Sequence, residues 1–254
     1  MYPRNNGPFG GGSFGGGPFG GGQRNNRSTS AYQYQYLGNQ PVSQSSGLIS
    51  KVMALLACSF LVATVGAFFG VGLHLGLMSY FLVVIAGFIV LLALQALINK
   101  RGLNLFLLFL FTFLEGLALA PLLSIYLLNG MGNILGEAFL ITGVTSLGLA
   151  VYAWTTKRSF ARLGDYLFFG ILLLLVATIV EIFLPIPLFV LIVAVFGVAI
   201  FSGYILFYVQ RAKNMADTLP NAIGLTVSLF LAVMNLFIYI LEILSILQGG
   251  RRNN

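Results

Sequence analysis

Charge is the scarcest commodity in this chain: of 254 residues, 13 are Lys or Arg and 6 are Asp or Glu. That is 7% of the residues, against about 25% in an ordinary soluble domain. So few ionic groups cannot cover a 27.4 kDa protein with water-facing surface, and 58% of the residues are hydrophobic. Most of the exterior therefore faces a lipid bilayer. Cysteine and histidine occur once each, as Cys58 and His74. An internal disulfide and a His/Cys metal cage of three or four ligands are both excluded, and zinc hydrolases and disulfide scaffolds go with them. An intramembrane serine protease needs a serine and a histidine meeting inside the bundle, whereas His74 falls at the first turn between apolar runs. No phosphate loop or dinucleotide fingerprint follows a strand. The chain reads as a non-enzyme with no bound cofactor.

The first fifty residues lack an apolar stretch that could serve a secretory signal, so no cleavable signal peptide is expected. They are rich in Gly, Asn, Gln, Ser and Tyr, and the unit Pro8-Phe9-Gly10-Gly11-Gly12 recurs as Ser13-Phe14-Gly15-Gly16-Gly17 and Pro18-Phe19-Gly20-Gly21-Gly22. With too little apolar surface to offset its ordering entropy, residues 1–46 are expected to be a disordered tail. Two readings stand for it: a plain flexible tail, or a Phe/Tyr-spaced docking arm with Arg24 and Arg27 aiding contact with anionic lipid.

What is present from there on is apolar sequence in long runs. A helix needs about 20 apolar residues to cross the hydrocarbon core, and residues 47–250 supply seven such stretches. They lie near 52–73, 77–98, 103–128, 134–155, 166–184, 188–209 and 222–247. The expected fold is an all-α membrane protein, a seven-transmembrane-helix bundle whose short connections make consecutive helices antiparallel neighbours. Pro185 and Pro187 mark the turn between the fifth and sixth helices, and Pro220 precedes the seventh, where a missing N–H is tolerated.

The basic residues punctuate these runs rather than forming a patch with interleaved aromatics, so the net charge of +7 does not point to nucleic acid. Arg4, Arg24, Arg27 and Lys51 precede the first helix; Lys100 and Arg101 occupy the second loop, Lys157, Arg158 and Arg162 the fourth, Arg211 and Lys213 the sixth. The first, third and fifth loops carry none. Because cytoplasmic loops retain Lys and Arg, the N-terminus is expected in the cytoplasm, opposite to a G-protein-coupled receptor. Only Arg251 and Arg252 would then lie outside. A re-entrant last run would bring them inside, but a lipid-exposed hairpin strands backbone groups, which favours seven crossings.

A carboxyl at mid-membrane costs about 2.5–3.5 kcal/mol on insertion scales and should face the bundle interior. Glu115, near the middle of the third run, is the acid with no route to the interface. Gly116, Ala118 and Ala120 permit close helix approach around it, and Pro121 frees a backbone carbonyl one turn back. Two readings of Glu115 stand: a proton or cation stop in a cavity, or a protonated, hydrogen-bonded strut between helices. In the seventh run Ser228, Asn235, Tyr239 and Glu242 share one helical face with Ala232, as either packing glue or a conduction path. Tyr204 and Tyr208, one turn apart, should face inward. Glu181 and Glu242 lie near enough to the end to reach the interface. Glu137 and Asp165 are placed near helix starts, where the macrodipole favours acids. Gly66 and Gly70 form a GxxxG, a spacing frequently met by chance in a Gly-rich membrane chain.

Three stretches together suggest a family: Phe113-Leu114-Glu115-Gly116-Leu117-Ala118-Leu119-Ala120-Pro121-Leu122-Leu123; Thr155-Thr156-Lys157-Arg158-Ser159-Phe160 with Leu163-Gly164; and Phe201-Ser202-Gly203-Tyr204-Ile205-Leu206-Phe207. In order and spacing they resemble the Bax inhibitor-1 family, also called the transmembrane Bax-inhibitor-motif or YccA-like family, from about Gly47 to Leu247. The resemblance implies a seven-helix bundle with a central helix and a cytoplasmic N-terminus. In several members it implies a pH-sensitive calcium leak gated by two aspartates on the sixth and seventh helices. The family's SGYILYD aligns with Ser202 to Tyr208, which puts Tyr208 at the first aspartate; its SLYLD aligns with Ser228 to Ala232, which puts Ala232 at the second. Two close carboxylates titrate together near neutral pH, and a tyrosine and an alanine do not. Glu115 does match the family's third-helix acid.

Two functions follow as expectations. One is a divergent cation leak, with calcium as permeant ion only and Glu115, Asn235, Tyr208 and Ser228 as candidate pore or gate residues. The other is a non-conducting adaptor that binds a membrane-anchored AAA protease or another membrane protein, with the tail as a handle. A small-solute transporter would be supported by inverted repeats, and no convincing repeat is seen. The missing signal peptide and short loops favour a bacterial plasma (inner) membrane.

Overall fold

The computed structural model describes residues 44–73 and 77–249. Its seven helices are α1 (Gln44–Gly72), α2 (Leu77–Ala96), α3 (Leu103–Leu128), α4 (Gly132–Thr155), α5 (Leu163–Phe183), α6 (Pro187–Ala212) and α7 (Leu219–Gly249). Among the described residues there is no strand, and all seven helices are long and apolar enough to cross a membrane. The tail expected over 1–46 falls outside the described residues up to residue 43, as do His74 and the Arg251-Arg252 pair.

Hydropathy locates the stretch inside the hydrocarbon, whereas a helix continues into the interface as long as water can complete its hydrogen bonds. Hence α1 starts at Gln44 and takes in residues read as tail, and α7 starts at Leu219. Pro220 thus sits within the first turn of α7, where its missing N–H leaves no bond unmade, and Pro187 opens α6 in the same way. Gly102 (φ 81°) and Gly130 (φ 68°) stand at the two ends of α3 in left-handed conformations that other residues rarely adopt.

The tightest contact is between α1 and α3, and it is made backbone to backbone. A Cβ on Gly116 would lie 1.9 Å from the Ala63 carbonyl oxygen; one on Gly66 would lie 2.2 Å from that of Phe113, and one on Gly70 2.4 Å from the Ala120 methyl. The GxxxG of Gly66 and Gly70 is therefore the docking face of α1, not a chance spacing. Without an apolar driving force between helices in lipid, such close approach is what makes association favourable.

Helix α7 is central, packed against α1, α3, α4 and α6. One apolar cluster gathers around Leu225, Leu229, Leu236 and Leu241 with side chains of α4 and α6. A second joins Leu94, Leu108 and Phe111 to Phe230, whose ring lies 5.2 Å from that of Phe60 and 6.3 Å from that of Phe111. By contrast α2 packs chiefly on α3, and α5 chiefly on α6. Their outer faces expose Phe81, Phe88, Ile89, Phe168, Phe169 and Leu173, the surface a bilayer covers.

Candidate functional site

The polar residues of α7 open onto a row of three cavities. The first, about 650 Å³, lies between α2, α3 and α7 and is lined by Tyr80, Glu115, Pro121 and Asn235 among apolar side chains. The second, about 480 Å³, lies between α2, α5, α6 and α7, and its polar lining is Gln95, Thr178, Tyr204, Tyr208, Ser228, Asn235 and Tyr239. The third, about 220 Å³, reaches the basic end of the bundle at Arg211 and Asn221. Leu231 and Asn235 line both the first and second cavities; Gln95, Tyr208 and Ser228 line both the second and third. One face of α7 thus runs past all three.

Glu115 is half-buried on α3, and among the described residues no hydrogen-bond donor or cation reaches its carboxyl. A Cβ at Gly87 would stand 3.8 Å from Glu115 Oε1, so the glycine leaves the space beside the carboxyl open on the α2 side. Asn235 donates from Nδ2 to the Leu231 carbonyl at 2.8 Å, and Ser228 Oγ donates to that of Gly224 at 3.0 Å. Both side chains bond to their own helix and leave acceptor oxygens available to the cavities.

At the aligned aspartate positions, Tyr208 and Ala232 both line the second cavity. Tyr208 stacks on Tyr204, with centroids 5.5 Å apart and planes at 16°. Tyr239 stacks on Phe201 at 5.9 Å, and Gly197 makes room for that ring, since a Cβ there would lie 2.5 Å from it. Thr178 of α5 lines the same cavity as Tyr239. Aromatic rings, not carboxylates, therefore furnish this cavity.

Glu181 of α5 and Glu242 of α7 lie near enough for their charges to repel one another. Among the remaining acids, one stands differently from the reading of the sequence. Glu137 is no cap: α4 begins at Gly132, beyond reach of the first turn. Its Oε2 accepts from Gln248 Nε2 at 2.6 Å and ties α4 to the end of α7. Asp165 does lie in the first turn of α5. Sequence reasoning passed over Gln95 and Thr178, although each is an isolated polar residue in an apolar run, the signal that singled out Glu115.

A bundle of seven membrane-spanning helices around a central α7, with an acid and a polar seam opening onto cavities between the helices, is a multi-pass membrane protein. Residues 45–249 match the family Bax1-I, described as inhibitor of apoptosis-promoting Bax1. The chain belongs to this Bax inhibitor-1 family. It is 34% identical over 213 residues to an uncharacterised protein of Helicobacter pylori, covering 80% of this chain and 88% of the relative. An uncharacterised protein of Campylobacter jejuni is 34% identical over 215 residues, 81% of this chain and 91% of its own length. The Escherichia coli protein named modulator of FtsH protease YccA is 34% identical over 136 residues, 54% of this chain and 61% of the relative.

Proposed function

We propose that the chain is a divergent cation pathway of the bacterial inner membrane, non-enzymatic and without a resident cofactor, in which Glu115 carries the charge that the lost aspartate pair carries in related chains. The N-terminus lies on the cytoplasmic side, where the loop cations gather. The carrying observation is the state of Glu115: a carboxyl serving as an interhelical strut would be hydrogen-bonded, and this one faces a cavity of about 650 Å³ with no donor among the described residues. An unbonded carboxyl inside a membrane is costly unless water or a cation enters. The adjoining cavities offer a course along α7 from Glu115 to Arg211. Calcium is cargo only: it takes 6–8 oxygen ligands, and the walls supply few, which suits passage better than retention.

The test is calcium flux into proteoliposomes across the neutral pH range, with Glu115→Gln beside the unaltered chain. Flux that disappears in the Gln variant is the expected result; equal flux in both, or none above protein-free liposomes, overturns the reading. A second reading is an adaptor that restrains a membrane-anchored AAA protease, which the printed name of the Escherichia coli relative favours. In that case the chain co-purifies with the protease, tolerates Glu115→Gln, and loses its partner when the residues before Gly47 are deleted.

A further inference from the structure

At the basic end of the bundle, the connection from α4 to α5 folds against the end of α6 and borders an open cavity of about 620 Å³. A two-pronged clasp holds it there. Gln210 Nε2 donates to the Arg158 carbonyl, and Gln210 Oε1 accepts from the Phe160 N–H, so one side chain pins the loop from both sides. Lys213 closes the floor: its ammonium donates to the Ala153 carbonyl at 2.8 Å and to that of Trp154, and lies 5.2 Å from the Trp154 ring. Lys157, Arg158 and Arg211 line the cavity, and each is exposed.

Among the described residues no carboxylate lines this space. Of the described acids at this end, Asp217 is paired with Lys51 at 2.9 Å, and Asp165 is not among the lining residues. Of the four lining cations Lys213 is held by two carbonyls; the other three, Lys157 and Arg158 on the clasped connection and Arg211 on α6, repel one another, and an anion between them relieves that repulsion. The remaining lining indicates which anion. Phe160, Phe207 and Met215 give the cavity an apolar side, and its position at the ends of α4 and α6 sets it at headgroup depth. A soluble phosphate has no use for the apolar side, whereas a phospholipid has both halves.

We propose that this cavity binds the phosphate of an anionic phospholipid headgroup through Lys157, Arg158 and Arg211. The proposal is independent of whether the chain conducts ions. Trp154 is the sole tryptophan of the chain and sits against Lys213, so its fluorescence reports on lipid beside the cavity. The full-length chain is placed in phosphatidylcholine vesicles containing rising fractions of brominated phosphatidylglycerol or brominated phosphatidylcholine. Half-maximal quenching by the anionic lipid is expected at a mole fraction about tenfold lower than by the zwitterionic one. Combining Lys157→Gln, Arg158→Gln and Arg211→Gln should bring the two curves together, while Lys100→Gln with Arg101→Gln should leave them apart. Coincident curves for the unaltered chain overturn the proposal without reference to any variant. So does a difference that survives the triple substitution. Inorganic phosphate is expected to leave the phosphatidylglycerol curve unmoved; displacement would assign the anion site to free phosphate and overturn the headgroup.

Discussion

Replacing Gly116 by alanine adds one methyl where α1 and α3 touch through their backbones. The new Cβ would sit 1.9 Å from the Ala63 oxygen, 2.7 Å from its carbonyl carbon and 2.8 Å from its Cα. None of these atoms is the far end of a flexible side chain, so relief requires the helices to separate by roughly 1.5 Å to reach contact distance. That movement also loosens the Gly66 and Gly70 contacts, since both lie on the same face of α1. Overpacking costs about 1–3 kcal/mol, and a rigid obstacle puts this site at the upper end. Alanine's better helix propensity returns about 1 kcal/mol, leaving a net loss of about 2 kcal/mol. The control is Gly136→Ala on α4, where the added methyl meets nothing within 4 Å and only the propensity gain remains. Thermal unfolding of purified chain in one detergent should lower the midpoint for Gly116→Ala and hold or raise it for Gly136→Ala. Equal midpoints for the two variants would refute the claim that α1 and α3 are held by backbone contact.

Gln210→Leu removes both prongs of the clasp from the α4–α5 connection; water can re-bond the freed groups, so the cost is about 1 kcal/mol. Tryptic cleavage after Lys157 and Arg158 should then quicken about fivefold, and an unchanged rate argues against the clasp. The Lys51–Asp217 ion pair, whose side chains are 50% and 23% exposed, should contribute under about 1 kcal/mol in a double-mutant cycle of Lys51→Met with Asp217→Asn, and less at high salt. A larger coupling would mean that the pair is shielded from solvent. Restoring both aligned acids, Tyr208→Asp with Ala232→Asp, sets two carboxylates on one 480 Å³ cavity, where they titrate as a coupled pair. Calcium flux should acquire a pH step that neither single variant shows; a step already present in the unaltered chain would locate pH sensing elsewhere.

The seven spans were legible because bilayer thickness imposes a run length that hydropathy detects directly. Helix ends were less so: Gln44 to Ser46 carry no apolar signal, and the interface asks for none. The α7 stripe was legible from its helical spacing, and the cavities open along it at Ser228, Asn235 and Tyr239. Partners across helices were not. The spacing of Gly66 and Gly70 marks a small-residue face without naming Gly116 and Ala63 as its counterpart, because nothing local encodes which helix docks there. Glu181 and Glu242 each read as an acid near a helix end, and nothing in either segment says that the folded bundle brings them near one another. Glu137 misled because its helix begins at Gly132, earlier than the apolar run suggested.

With Tyr208 and Ala232 at the aligned aspartate positions, phenols and not carboxylates set the electrostatics of α7 at the second cavity. The second cavity, of about 480 Å³, has Tyr204, Tyr208 and Tyr239 on its wall. Phenols are neutral at physiological pH, and their π faces attract cations by only about 0.5–2 kcal/mol. The ordered charges along the row are therefore Glu115 beside the first cavity and Arg211 at the end of the third, with a neutral stretch between them. A cation entering from the Glu115 side meets attraction, then a wall of rings, then a guanidinium of its own sign. An arrangement with the acid and the base at opposite ends slows release toward Arg211 unless that charge is offset. For this reason the Glu115→Gln comparison should be made with the salt concentration on the Arg211 side varied: flux through this row rises as screening weakens Arg211. Insensitivity to salt there would separate any flux from the cavities along α7.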